Sequence, residues 1–196
     1  LLFFLSCDRN PGQLPVLEVS ENGRYLQDED GEPFFWLGDT GWLLFSRLDR
    51  DEALRYMNDR AAKGFNVVQA MVLHNVALEN VYGDSALTAM DVSKPLLTPG
   101  EDPGDVQAYD YWDHVDYIVD LAEEKGIYMA LVPIWGSNVK AGKVSLEQAD
   151  AYGRWLAGRY AGRSNIIWLN GGDVRGSDSI RIWERMGAVL RETAPD

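Results

Sequence analysis

Cysteine is nearly absent: Cys7 is the only one in 196 residues, so no disulfide framework can staple the fold. Histidine is almost as scarce, with His74 and His114 alone, which leaves few nitrogen ligands for a transition metal. Lys and Arg number 18 against 31 Asp and Glu, a net charge of −13. Such a surface repels nucleic acid, whose phosphates need a basic face, and disfavours anionic membranes. An anionic substrate is compatible only where local cations overcome the general field. No apolar run reaches the ~20 residues of a membrane span. Gly-x-Gly-x-x-Gly is missing after the first strand-like segment, and so are a Gly-Lys-Ser/Thr phosphate loop and a nucleophile elbow. Nucleotide chemistry and a serine or cysteine nucleophile therefore lack support. What remains is 46% hydrophobic and 25% charged, a folded chain long enough for one core and too short for two ordinary α/β domains.

The run Leu1-Leu-Phe-Phe-Leu-Ser-Cys7 resembles the tail of a bacterial lipoprotein signal peptide, in which cleavage precedes a cysteine that then carries lipid. The resemblance implies export to the periplasm or cell surface, with residues 1–7 a leader remnant and Cys7 the lipid attachment site. A truncated ordinary secretory signal is the rival reading, and it too exports the protein. Residues 8–15, centred on Asn-Pro-Gly, read as a linker, and 16–196 as one domain. Its first part, Val16–Val19 and Arg24–Gln27 around Asn22-Gly23, carries a hairpin signal.

From Pro33 a unit of strand, loop and helix occurs four times. The predicted strands are 34–37, 66–73, 127–134 and 166–169. Predicted helices begin at Asp49, near Asp110, at Ser145 and near Ser177. Asp49 with Glu52, and Ser145 with Gln148, fit capping boxes, while Gly64 and Gly126 suit helix ends. Leu54, Met57 and Ala61 mark the buried face of the first helix; Trp112, Val115, Ile118 and Ala122 that of the second. Leu146, Ala149, Tyr152 and Leu156 do so for the third, and Ile180, Trp183, Gly187 and Leu190 for the fourth. Continuous apolar strands alternating with amphipathic helices imply a parallel sheet covered by helices. Right-handed crossovers then put all four strand C-termini on one edge. The connection from His74 to Tyr109 is long enough to wall a site and carry short elements of its own.

That edge gathers the candidate residues. In Asn165-Ile-Ile-Trp-Leu-Asn-Gly-Gly-Asp173 an apolar strand ends in Asn170, two glycines and an acid, where α/β enzymes place their chemistry. Asp39, His74 and Trp135 end the other three strands. Paired carboxylates with aromatic rings that stack on sugar faces are glycosidase chemistry. Trp42 and Trp135, just past strands, suit that role, whereas Trp36, Trp112, Trp155, Trp168 and Trp183 fall within elements and read as core. His114 lies inside a helical pattern and reads as packing. His74 with Asp39 and Asp173 has no metal-ligand spacing, so no metal and no cofactor are expected.

The segments Phe34-Phe-Trp-Leu-Gly-Asp-Thr-Gly-Trp42, Gly64-Phe-Asn-Val-Val-Gln-Ala-Met-Val72 and Ile167-Trp-Leu-Asn-Gly-Gly-Asp173 resemble the apiosidase-like glycoside hydrolases of family 140, many of them from gut Bacteroidetes. The resemblance covers about residues 16–196. It implies an α/β fold, here the N-terminal half of a (β/α)₈ barrel, four βα units preceded by a short β-hairpin. It implies a two-carboxylate retaining mechanism on pectic side chains, with Asp173 the catalytic acid/base and the nucleophilic glutamate carried later than this chain reaches. The chain alone is then expected to be inactive. Asp39, Trp42, Gln69, His74, Trp135 and Asn170 are the candidates for holding sugar, and the expected partner is carbohydrate. A non-catalytic glycan-binding surface lipoprotein is the alternative from another class.

Overall fold

The computed structural model describes residues 13–195. The leader, Cys7 and the first part of the linker lie outside the described residues. Two sheets carry the architecture. The first is antiparallel, order β1-β2-β3, from Leu17–Val19, Leu26–Asp28 and Pro33–Phe34; the second is parallel, order β4-β5-β6-β7, from Gly38–Thr40, Val67–Leu73, Tyr128–Ile134 and Ile166–Trp168. Six helices accompany them: α1 Leu44–Arg47, α2 Arg50–Ala62, α3 Tyr111–Glu124, α4 Gly136–Lys140, α5 Leu146–Arg159 and α6 Ile180–Thr193. Parallel neighbours follow in chain order with a helix in every crossover, so all four strand C-termini share one edge.

Register sorts the strand residues onto two faces. Val68 and Ala70 of β5, with Met129 and Leu131 of β6, join Met57, Trp112, Ile118, Tyr152 and Leu156 in the core beneath the helices. The opposite face is smaller: Val67, Tyr128 and Ala130 pack with Leu14, Leu17, Phe34, Trp36, Ile167 and Leu169. Both faces of β5 and β6 are thus covered near their N-terminal ends, which explains their nearly unbroken apolar sequence. Each large side chain so buried contributes roughly 1.5–3 kcal/mol.

The helix punctuation follows the sequence closely. Asp49 accepts from Glu52 N at 2.7 Å and Ser145 from Gln148 N at 3.2 Å, and both boxes are reciprocal. Asp110 and Asp113 form a third that the sequence pattern did not suggest. Each such cap is worth about 1 kcal/mol. Gly64 and Gly126 take φ of 80° and 73° just past α2 and α3, conformations that cost a side-chain-bearing residue.

Several expectations need correction. Residues 34–37 are not the first parallel strand. Phe34 pairs with β2 and meets Tyr128 edge-on at 5.3 Å, while Phe35 is 76% exposed. Asn66 grips this segment, accepting from Leu37 N and donating to Phe35 O, so the parallel strand starts only at Gly38. The hairpin is therefore a three-stranded sheet, its second strand starting two residues later than expected. The end of the linker is anchored too, since the Tyr128 hydroxyl donates to Pro15 O at 2.6 Å. Leu54 and Ile180 face outward, because Ala53 and Met57, and then Trp183, Met186 and Val189, occupy the inner stripes. The fourth helix begins at Ile180, later than Ser177.

The 74–109 connection has short bridges, Glu79 with Ser85 and Leu87 with Pro95, and a 3-10 turn at Thr88–Met90. It packs over the N-terminal ends of helices. The Tyr82 hydroxyl accepts from Arg50 N, Asp110 accepts from Thr98 N, and Gln148 donates to Asp91. His114 ties this layer down. It is fully buried, its Nε2 is 2.9 Å from Leu48 O and its Nδ1 is 3.0 Å from the Tyr109 hydroxyl. A carbonyl only accepts, so Nε2 carries the proton and Nδ1 accepts from Tyr109. Burial pushes the Tyr109 phenol up to about 12, which keeps it a donor.

Burial also lowers His114 below the ordinary histidine value, and His74 moves the same way. The folded protein then binds fewer protons than the unfolded chain as pH falls below about 6.5. Stability is expected to be complete above that value and to fall as pH drops through it, by at most about 1.4 kcal/mol per pH unit for each histidine. Urea unfolding at pH 7.5, 6.5 and 5.5 checks this: His114→Gln should flatten the dependence, and an equally steep variant would refute the assignment.

Candidate functional site

The parallel edge ends in turns that interlock. Trp135 follows β6 and Gly136 opens α4; Gly171-Gly172-Asp173 comes after β7. A Cβ on Gly172 would lie 2.6 Å from Gly136 N and 3.1 Å from Trp135 Cε3. A Cβ on Gly136 would lie 2.6 Å from a Val174 methyl. Neither turn has room for a side chain, and at Gly172 the obstacle is backbone that cannot rotate away. This contact sets Asp173, which is exposed, immediately after a residue pressed on the Trp135 ring.

Trp42 completes an aromatic wall. Its ring centroid is 5.7 Å from that of Trp135 at 48°, and its carbonyl accepts from Met71 N at 3.1 Å, which fixes it beside β5. Both rings are half-buried, so each keeps an accessible surface. His74, at the end of β5, is also half-buried; burial and the nearby Arg47 charge hold it below its ordinary pKa, hence neutral at pH 7.

Asp173 opens onto a cleft of about 500 Å³ lined by Lys140, Gly172, Val174, Arg175 and Asp178. Lys140 Nζ stands 3.8 Å from Asp178 Oδ2, a loose ion pair. Arg175 is exposed and has no ion pair among the described residues. A larger cleft of about 830 Å³ runs between the antiparallel sheet, β7 and α6. It follows the apolar sheet edge at Ile166–Trp168 and includes Asn170 but none of the other candidates. No cluster of His, Cys, Asp and Glu able to hold a metal occurs among the described residues.

The structure brings Trp42, Trp135 and Asp173 to one edge, with His74 on the adjoining strand end. The other candidates lie elsewhere. Asp39 is inside β4, not past it, and its register partner Val68 faces the helices. It accepts from the Tyr56 hydroxyl at 2.9 Å and lies 2.9 Å from Arg60 Nε, an arrangement that ties β4 to α2. Asn170 donates to Trp183 O at 2.8 Å, tying β7 to α6 on the helix side. Gln69 sits four residues before the end of β5 on the inner face, its amide near Gly38. That depth is roughly 13 Å along the strand. Arg47 and the buried Asn138 were not singled out from sequence, because short α1 and α4 give no periodic signal.

Comparison with known proteins agrees with this architecture. The family described as Apiosidase-like, catalytic domain, matches residues 20–196. A solved structure named Glycoside hydrolase is 43% identical, with a TM-score of 0.80 over 92% of this chain and 39% of its own. A glycoside hydrolase family 5 structure from Bacteroides vulgatus is 41% identical, with a TM-score of 0.81 and the same coverages. The chain thus spans about two-fifths of the length of these relatives. An endocellulase from Pyrococcus horikoshii, solved with cellotetraose, is 16% identical with a TM-score of 0.59 over 93% of this chain and 55% of its own; it shows a shared fold only. No curated protein matches the chain. The chain belongs to the apiosidase-like family of glycoside hydrolase catalytic domains.

Proposed function

We propose that this chain is part of an exported, retaining glycoside hydrolase that removes side chains from pectic plant cell-wall polysaccharide. Asp173 is its general acid/base, and Trp42, Trp135 and His74 line the sugar site. The observation that carries the reading is the Gly172 contact, which presses the turn that bears Asp173 against Trp135, whose ring lies 5.7 Å from that of Trp42. In this mechanism Asp173 protonates the leaving glycosidic oxygen while a second carboxylate, about 5–5.5 Å away, attacks the anomeric carbon. Asp178 lines the same cleft but pairs with Lys140, so the nucleophile is assigned to a later part of the enzyme. Neutral His74 can accept from or donate to a sugar hydroxyl, and the tryptophan faces stack on its C–H surface. Family membership and relatives named as glycoside hydrolases support the reaction class.

Loss of general acid catalysis costs about 10²–10⁴ in rate. In the full-length enzyme, Asp173→Asn should therefore lower kcat by about that factor on substrates with poor leaving groups, with unfolding unchanged. Near-normal turnover would remove Asp173 from the mechanism. Retained sugar binding with no activity in the unaltered enzyme would favour a glycan-binding protein instead.

An acidic substrate has to approach a chain of net charge −13, and Arg175 with Lys140 supplies the cations at the cleft. Arg175 carries more of this role, because Lys140 is partly neutralised by Asp178. Replacing both with Ala should raise KM several-fold on uronate-containing oligosaccharides at low salt, with the difference shrinking at 0.5 M salt as screening grows. An unchanged KM at low salt would dismiss them.

A further inference from the structure

Asn138 is one of few buried polar residues, 3% exposed, on the short helix α4. Its Nδ2 donates to His74 O at 3.0 Å and to Trp135 O at 3.2 Å. Those carbonyls belong to the first residues past two neighbouring strands, β5 and β6. The β5–β6 ladder stops at Leu73 with Ile134, and the final backbone bond runs from Trp135 N to Leu73 O at 2.9 Å. Beyond it the two chains diverge, into the 74–109 connection and into α4. Asn138 supplies through its side chain the bridge that the ladder no longer makes. Its own N–H also donates to Trp135 O, and its C=O accepts from Lys143 N, so the amide is held from both sides.

We propose that Asn138 is a positioning residue that fixes the spacing between the His74 and Trp135 walls of the sugar site, and with it the Trp42–Trp135 ring geometry. The proposal rests on the reading of this edge as a carbohydrate site, but its first test needs no ligand. Asparagine suits the position because one primary amide offers two donors to two acceptors. A carboxylate of the same shape would set oxygen against both carbonyls, and alanine would remove this donor from His74 O while Trp135 O kept only the backbone N–H. The side chain is buried and bonded to two backbone carbonyls, so it acts through what it holds.

The test uses the full-length enzyme and the variants Asn138→Ala, Asn138→Asp and Trp135→Phe. Near-UV circular dichroism reads the coupling of two indoles 5.7 Å apart, while far-UV signal and Tm report folding. In folded protein, Asn138→Ala should shift the paired-indole signal in the direction that Trp135→Phe does. Asn138→Asp should do so at pH 7 and partly recover towards pH 4.5, as its carboxyl regains one donor. An unchanged signal in both folded variants would overturn the proposal, and so would loss of signal only alongside loss of fold. Titration of tryptophan fluorescence with pectic oligosaccharides then separates the two readings. About tenfold weaker binding in Asn138→Ala, with kcat altered less than about threefold, is expected. If the unaltered enzyme binds none, the substrate assignment fails while the ligand-free result still decides the role of Asn138.

Discussion

The contact on which the site depends is the approach of two turns, Trp135-Gly136 after β6 and Gly171-Gly172 after β7. Strands of a parallel sheet lie nearly 5 Å apart, and their loops normally splay outward over the helices. Here the two turns touch, with no space for a Cβ at Gly136 or Gly172. The consequence is local rigidity: a carboxylate on an exposed turn acquires a fixed relation to an aromatic ring. Trp42 joins through the Met71 amide, and Asn138 secures the neighbouring wall through two carbonyls. Each link uses backbone or a buried amide, so the edge is built without strong ion pairs.

Charge is distributed to match. Several ionic contacts bind helices to one another, as Arg159 does to Asp116 and Arg154 to Glu192. These are part-exposed and individually weak. At the cleft the balance differs, with the exposed Asp173 carboxylate, the Lys140–Asp178 pair beside it and the Arg175 guanidinium, which has no ion pair among the described residues. Lys140 and Arg175 thus balance Asp173 and Asp178 in the cleft lining, in contrast to the chain's overall net charge of −13.

The helix side of the sheet shows how a polar strand-end residue can be structural. Asp39 and Asn170 sit at or near strand ends, as Asp173 and Trp135 do, yet they point to the helices and anchor α2 and α6. Successive strand residues face opposite sides, so one position decides between substrate and scaffold. The pattern Gly-Asp-Thr in the sequence carries no sign of that choice. It depends on where β4 begins, which Asn66 settles by clamping residues 35–37 into the neighbouring segment.

The amino-acid sequence by itself determined the alternation of strands with α2, α3, α5 and α6, both ends of α2 and α3, the start of α5, the parallel sheet and the edge on which chemistry could gather. Those features rest on local rules: apolar runs, helical stripes, caps such as Asp49 with Glu52, and glycines past helix ends. It also carried the family, through motifs that span three strand ends. Tertiary structure decided what local rules leave open. The 34–37 segment is apolar enough for either sheet; Phe34, packed against Tyr128, joins the antiparallel one, and 35–37 belong to neither. His114 reads as an ordinary helix residue, and only burial between Leu48 and Tyr109 makes it a neutral latch. Asn138 has no sequence signature because its two acceptors, His74 O and Trp135 O, are brought together by strand register, a property of the pair of strands and not of either alone.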